Sequence, residues 1–315
     1  MTKGVPPDLV VLSERIIQRG SKSFSAAARL FDRETRASAY LLYAWCRHCD
    51  DVIDGQELGF QPAVAAAHDP RQQLAELRRL TTDALGGKPM DNPVFAAFQR
   101  VTQEHAIPHR HPHALLDGFA MDAEGKAYET VDDTLTYCYH VAGVVGVMMA
   151  IIMGARDEDT LDRASDLGIA FQLTNIARDV VEDAKVGRIY LPRQWLEAAG
   201  VPPAELGAQR HRPALFEVTA RLLALADDYY VSSGVGIDRL PLRSRWAVAT
   251  ARRVYREIGQ EVRRRGAAAW DTRVSTTKGQ KLMAVVGGGG RALAAPLLRE
   301  RLPAFSRDRL WTRPR

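Results

Sequence analysis

The sequence predicts an all-α protein, and three observations carry that prediction. Apolar residues recur at helical spacing along almost the whole chain. No stretch alternates apolar and polar residues as a half-buried strand would, and no Asn-Gly pair marks a tight hairpin. No fixed-period repeat and no Pro/Gly/Ser-rich linker divides the chain, so one helical domain is the simplest arrangement.

In chain order, Asp8 to Arg19 reads as an amphipathic helix ended by Gly20, and Ser21 or Ser23 can cap a second one through Leu30. Arg33 to Asp54 reads as a long helix that Gly55 stops. Gly55 to Pro70 is a loop of small residues, followed by helices over Arg71 to Leu85, Pro93 to His105 and His113 to Gly125. Asp132 or Asp133 is expected to cap an apolar helix through Met153. Its nearly apolar stretch, Val141 to Ala155, is short for a membrane span, which needs about 20 residues. Asp157 to Asp183 is helical, Gly187 to Pro192 a loop or short extended segment, and Pro213 to Gly234 and Leu242 to Gly266 close the main body. The run Gly287 to Gly290 lacks the Lys-Ser/Thr that follows a phosphate-binding loop and reads as a flexible connector. The expected division is a helical domain over 1–290 and a basic tail over 291–315, outside the core. That tail reads as a solvated terminal segment, or as one that docks on anionic lipid, because Leu293, Leu297, Leu298 and Leu302 stand between basic residues.

Hydrophobic residues make up 46% and charged residues 26% of the chain, which excludes a disordered polymer. Cys46, Cys49 and Cys138 are an odd, low number, and no secretory signal precedes them, so a cytoplasmic, reducing environment is expected. Cys46-Arg47-His48-Cys49 imitates half a zinc site, but no second ligand pair exists, and both cysteines read as core packing. A net charge of +5 permits contact with an anionic surface without requiring it, and no nucleic-acid partner is expected.

The chemistry concentrates in Gln172 to Asp183. Asn175, Asp179 and Asp183 fall at i, i+4 and i+8 and share one helix face, with Gln172 a turn earlier, while Leu173, Ile176, Ala177 and Val180 cover the other sides. Oxygen-bearing side chains on a buried helix need a partner. A second copy of the spacing stands at Asp50 and Asp54, on a face shared with Tyr43 and Arg47. One Asp-x-x-x-Asp alone is most simply a solvated face with ordinary helix ion pairs, such as Arg47 with Asp51. Two facing copies suit a cluster of magnesium ions, which take oxygen ligands, and through them a diphosphate. Arg47 and Arg178 are placed to hold outer phosphate oxygens, the alternative for Arg178 being an i+4 pair with Glu182. Val141 to Ala155, with Gly143 and Gly146, reads as a closely packed core helix, as the wall of an apolar tunnel, or as both, and Tyr137 sits one turn before it.

With these segments in place the chain resembles the phytoene/squalene synthase family. The resemblance rests on Ser21-Lys22-Ser23-Phe24, Tyr43 to Arg47, Asp50 to Asp54, Tyr137 to Gly143, Gln172 to Asp183 and Gly187 to Pro192, and runs from about Gly20 to Lys281. It implies an isoprenoid-synthase fold with a central cavity between the aspartate helices. It implies head-to-head condensation of two geranylgeranyl diphosphates, through prephytoene diphosphate, to phytoene and two diphosphates in carotenoid biosynthesis. Asp50, Asp54, Asp179 and Asp183 would be catalytic and, with Asn175, would bind magnesium or manganese. Ser21, Ser23, Tyr43, Arg47, Tyr137, Gln172, Arg178, Tyr255 and Arg273 would meet substrate, Arg273 lying in a more divergent segment. Glu182 sits a quarter-turn off the stripe and is read as Arg178's partner rather than a ligand. The rival readings are a C15-using enzyme making dehydrosqualene or squalene, and a non-catalytic helical assembly protein, which would have lost the aspartates. Other carotenoid-pathway enzymes and the inner face of the membrane are the expected partners.

Overall fold

Helices make up every regular element among the residues that the computed structural model describes: 13, 14, 17, 26–55, 69–299 and 305–315. No strand occurs among them. Helix α1 spans Arg33–Asp54: Asp32 accepts hydrogen bonds from the Glu34 and Thr35 amides at its start, and Gly55, at φ 61°, ends it. Helices α2 (Pro70–Leu85) and α3 (Pro93–His105) begin the same way, with Asp69 and Asn92 as caps and proline in the first turn. Helix α4 (Arg110–Ala123) starts earlier than expected because Pro112 falls in its first turn, where a missing N–H costs nothing.

Helix α5 (Val131–Cys138) corrects the expected cap. Thr130, not Asp132 or Asp133, is the N-cap, and Asp133 returns the bond to the Thr130 amide in a capping box. A π-turn over Tyr139–Gly143 then leads into α6 (Val144–Ile152). Helix α7 (Glu158–Lys185), capped by Asp157, is central. It packs most extensively on α9 (Arg212–Ile237) and also meets α6, the π-turn and α10 (Leu242–Arg265). Its approach to α6 is backbone to backbone. A Cβ on Gly168 would lie 2.2 Å from the Ala142 carbonyl oxygen, and one on Gly146 2.3 Å from that of Ala164. The helical path Val131–Ile152 is 22 residues, long and apolar enough to cross a membrane, but most of it is buried inside the protein, as a core helix would be. The short α8 (Arg193–Ala198) follows the Gly187–Pro192 loop.

Two expectations about the C-terminal part are overturned. Gly287–Gly290 is no connector: it lies inside α11 (Lys278–Arg299), which continues through residue 290. A Cβ on Gly287 would lie 1.9 Å from Arg253 Nη1 and one on Gly288 2.5 Å from Thr250 Oγ1, so the glycines let α11 close on α10. That contact outweighs a helix-propensity penalty of about 1 kcal/mol per glycine. Nor is the end of the chain a free tail. Arg307 binds Asp166 at 2.8 and 2.9 Å, Arg313 binds Asp162 at 2.6 Å and also Glu158, and Leu310 is buried. The arginines that suggested a solvated tail are the counter-ions of acids on α7. Replacing Arg313 with Met is therefore expected to cost about 3 kcal/mol, because Asp162 is left buried with a weaker set of partners. A thermal melt of the full chain checks this; an unchanged midpoint would show that the Arg313 ion pairs contribute nothing. The expected helix Asp8 to Arg19 falls largely outside the described residues, although Ser13, Glu14 and Ile17 are helical. Ser21, Ser23 and the interior of the Gly55 to Pro70 loop also lie outside them.

Candidate active site

A cavity of about 640 Å³ lies between α1, α4, the π-turn with α6, α7, α9 and α10. Its α7 wall runs from Thr160 to Arg178, a length of about 27 Å at about 1.5 Å rise per residue. Most of the lining is apolar, and part of it is small: Ala28, Ala142, Val145, Gly146, Ala164, Gly168 and Ala251 leave room where larger side chains would fill it. The glycines of the apolar helix thus serve both readings, close packing on α7 and a tunnel wall. Cys46 faces this cavity and Cys49 is buried beside it; both are free, and burial pushes the Cys46 thiol up to about 12.

Most of the polar residues gather at one end, while Thr160 and Arg163 line the far end of the α7 wall. Tyr43, Arg47, Asp50, Tyr137, Gln172, Asn175, Arg178, Tyr255 and Arg273, all expected from the sequence, line the cavity. Helical periodicity is the cause: α1 presents Tyr43, Arg47 and Asp50 on one face, and α7 presents Gln172, Asn175 and Arg178. Tyr255 stacks on Phe171 with ring centroids 4.1 Å apart, and both rings border the cavity. Asp54, Asp179 and Asp183 stand next to this end without lining it.

Each aspartate set is tied to guanidiniums. Arg47 contacts Asp50 at 3.1 Å and Asp51 at 2.6 Å. Arg178 pairs with Asp179 through Nε at 2.8 Å and through Nη2, and Arg273 reaches the same carboxylate at 3.3 Å. This corrects the expected Arg178–Glu182 pair: Glu182 instead faces Arg273 Nε at 3.8 Å, on the exposed side of α7. Arg188 binds Asp54 at 2.5 Å and is near enough to Asp122 and Asp183 to favour their ionised forms. It therefore links the first aspartate helix to the end of the second.

The carboxylates remain under-compensated. Burial, then the neighbouring Asp54, pushes Asp50 up to about 6, with Arg47 only partly opposing. Burial, then Asp179, pushes Asp183 up to about 7 against Arg188 and Arg178. Asn175 Oδ1 is buried and has no hydrogen-bond partner among the described residues. An all-oxygen donor set with unmet negative charge and an orphaned amide oxygen fits a hard divalent cation, not zinc. The structure does not show a finished cage, however. Among the described residues no three acidic, histidine or cysteine side chains are gathered closely enough to hold a metal ion. The expected ligands stand as separate sets because like charges repel and Asp50, Asp54 and Asp179 each turn to an arginine.

Three residues of this end were missed by sequence reasoning. Asp122 lines the cavity and accepts hydrogen bonds from the phenols of Tyr137 at 3.0 Å and Tyr190 at 2.9 Å, whose rings stack 4.6 Å apart. It lacks an i+4 acidic companion, so no spacing pointed to it. Arg188 and Tyr190 lie in the Gly187–Pro192 segment, where a loop gives no periodicity from which to infer direction. Ser21 and Ser23 lie outside the described residues.

Comparison with known proteins agrees with this geometry. Residues 17–280 match the family model described as squalene/phytoene synthase. The phytoene synthase of Pseudescherichia vulneris is 51% identical over 98% of this chain and 99% of its own. The 15-cis-phytoene synthase of Pantoea ananas is 50% identical over 98% and 99%. Among solved structures, a dehydrosqualene synthase superposes with a TM-score of 0.81 at 29% identity, covering 91% of this chain and 97% of that one. The fold alone is shared with a squalene synthase from Alicyclobacillus acidocaldarius, at TM-score 0.73 and 24% identity over 83% and 97%. By the extent of the family match and the length over which half its residues are shared, the chain is a member of the squalene/phytoene synthase family.

Proposed function

We propose that the protein condenses two geranylgeranyl diphosphates head to head, through prephytoene diphosphate, to phytoene and two diphosphates. The observation that carries this reading is the cavity itself, which joins an aspartate- and arginine-rich end to a long, mostly apolar wall. That shape matches a substrate with a diphosphate head and a long prenyl chain. Relatives at about half identity over nearly the full chain bear the name phytoene synthase, which supports the C40 product.

In this reading Asp50, Asp54, Asn175, Asp179 and Asp183 would hold magnesium, or manganese. A bound ion neutralises charge on the departing diphosphate. Arg47, Arg178 and Arg273 donate hydrogen bonds to diphosphate oxygens at the mouth. The apolar walls align the two chains and exclude water from the allylic cation formed when the first diphosphate leaves. The stacked rings of Phe171 and Tyr255 border that space and favour positive charge there by cation–π attraction. The double bond of the second substrate attacks the cation to leave a tertiary cation, and loss of a proton from the carbon that bore the departed diphosphate closes a cyclopropane. A second ionisation opens the ring to the linear skeleton, and loss of a proton completes phytoene.

The test is product analysis. Purified protein with magnesium and geranylgeranyl diphosphate is expected to give a C40 hydrocarbon by mass and retention. A parallel incubation with farnesyl diphosphate addresses the C15 rival. A C30 product with no C40 product would overturn the assignment.

A further inference from the structure

Arg188 differs from the other arginines of the polar end in what it joins. Arg47 keeps Asp51, one turn along its own helix, at 2.6 Å, and Arg178 pairs with the adjacent Asp179. Arg188 instead crosses between elements. Its guanidinium donates to both carboxylate oxygens of Asp54 on α1, at 2.5 and 3.4 Å. Burial raises the Asp122 carboxyl, on α4, and burial with Asp179 raises that of Asp183, on α7; Arg188 is the strongest charge opposing the rise at both. Three carboxylates from three helices therefore share one positive charge. Two of them, Asp54 and Asp183, belong to the proposed cation site, one from each aspartate helix.

The main chain around Arg188 is pinned, but its head is not. After the turn at Gly187, whose φ is 79°, the Arg188 amide donates to the Asp183 carbonyl at 2.9 Å. Two residues on, the Tyr190 carbonyl accepts from Thr134 Oγ1 at 2.9 Å, and the Tyr190 phenol donates to Asp122. The side chain between these anchors is 34% exposed, so the guanidinium can turn toward the open side while the backbone stays. It is also a poor permanent occupant. One unit of charge leaves the three acids under-compensated, and a flat fork cannot draw oxygens from two helices to the short radius that a hard cation sets.

We infer that Arg188 is an exchangeable stand-in for the divalent cation: its guanidinium holds Asp54 and screens Asp183 in the metal-free protein, gives both up to the ion, and turns to donate hydrogen bonds to the substrate diphosphate. The inference rests on the proposed function for the diphosphate head and not for the length of the chain behind it. The exchange couples the two ligands. While Arg188 lies on Asp54 its charge opposes a cation, and an anion beside the site draws it away, so cation and diphosphate bind more tightly together than either does alone.

The test is manganese binding by the full, substrate-free chain at about pH 8, with the free ion counted by electron paramagnetic resonance. Arg188→Gln is expected to bind manganese about tenfold more tightly than the parent, because a competing charge is gone. At saturating manganese the same variant should bind inorganic diphosphate about tenfold more weakly, because a charged donor is gone. Arg188→Lys keeps the charge and should bind manganese like the parent. A merely structural tie predicts a different result: Arg188→Gln would melt lower in chelator and bind neither ligand better. Manganese affinity that is unchanged or weakened in Arg188→Gln, absence of binding in both proteins included, would overturn the inference. So would a diphosphate affinity equal to the parent's, or an Arg188→Lys protein that behaves like Arg188→Gln. Neither titration uses a prenyl substrate or turnover, so the product assay can fail on chain length while these succeed, and the reverse.

Discussion

Asp179→Asn is expected to lower phytoene formation by about a thousandfold while leaving helical content unchanged, a loss of about 4 kcal/mol in transition-state stabilisation. The change keeps the shape of the side chain and removes its charge. Asp179 is the middle oxygen donor of the α7 stripe, and Arg178 and Arg273 both converge on it. An amide at this place is a neutral and weaker donor to a divalent cation than the carboxylate it replaces, and it leaves two guanidiniums without their shared anion. Asp50→Asn should behave alike, because it removes the aspartate that lines the cavity on the facing helix. Both effects are read by product formation from geranylgeranyl diphosphate at saturating magnesium, with far-ultraviolet circular dichroism as the control. Turnover within tenfold of the parent in either variant would show that the aspartates do not serve the leaving group. Helical content should hold because neither side chain packs in the apolar core.

What the sequence made legible was what periodicity controls. The limits of α1 and α3 agree with the expected Arg33 to Asp54 and Pro93 to His105, since caps are local chemistry. The polar stripe of α7 and its partner on α1 could be placed because i, i+4 spacing fixes a shared face once a helix is granted. Tyr43, Arg47, Gln172, Asn175 and Arg178 follow from the same geometry.

What was not legible depended on contacts between distant parts of the chain. Gly287–Gly290 is a poor helix former on its own, and only the surface of α10 shows why a helix persists there. The terminal arginines looked like a solvated tail because Asp162 and Asp166, their partners, lie some 140 or more positions earlier. Asp122 was silent for a similar reason: its role comes from Tyr137 and Tyr190, neither within a helical turn of it. Direction was also misjudged for Arg178, where an i+4 rule suggested Glu182 but the guanidinium turned inward to Asp179, nearer the cavity. Spacing identifies faces; burial decides which of two acids a cation seeks.

The second large effect is on pH. Asp183 is held up to about 7 and Asp50 up to about 6, each first by burial and then by a neighbouring carboxylate. If both must be ionised to hold a cation, the rate should be level above about pH 8 and fall below pH 7, steepening toward a hundredfold per unit once both protonate. Because protons and cations compete for the same oxygens, raising magnesium should move the falling limb to lower pH. Stability without divalent ions should run the other way. A carboxyl whose folded pKa is raised above its unfolded value binds more protons when folded, so its penalty is fully present above the folded pKa and fades as pH falls toward the unfolded one. Between pH 8 and pH 5 the metal-free protein should therefore gain stability from these two groups. The gain is firmer for Asp183, since Asp50 keeps 42% of its side chain in solvent, which screens it. Asp183→Asn should accordingly melt higher than the parent at pH 8 in chelator, by an amount on the order of 1 kcal/mol, and yet be inactive. A pH–rate profile at two magnesium concentrations and melts at pH 5 and pH 8 measure both limbs. A flat profile over that range, or a limb that ignores magnesium, would mean that these carboxylates are not the cation's ligands. The same crowding that destabilises the empty site is what makes it bind a divalent cation, so activity and metal-free stability must respond to pH in opposite senses.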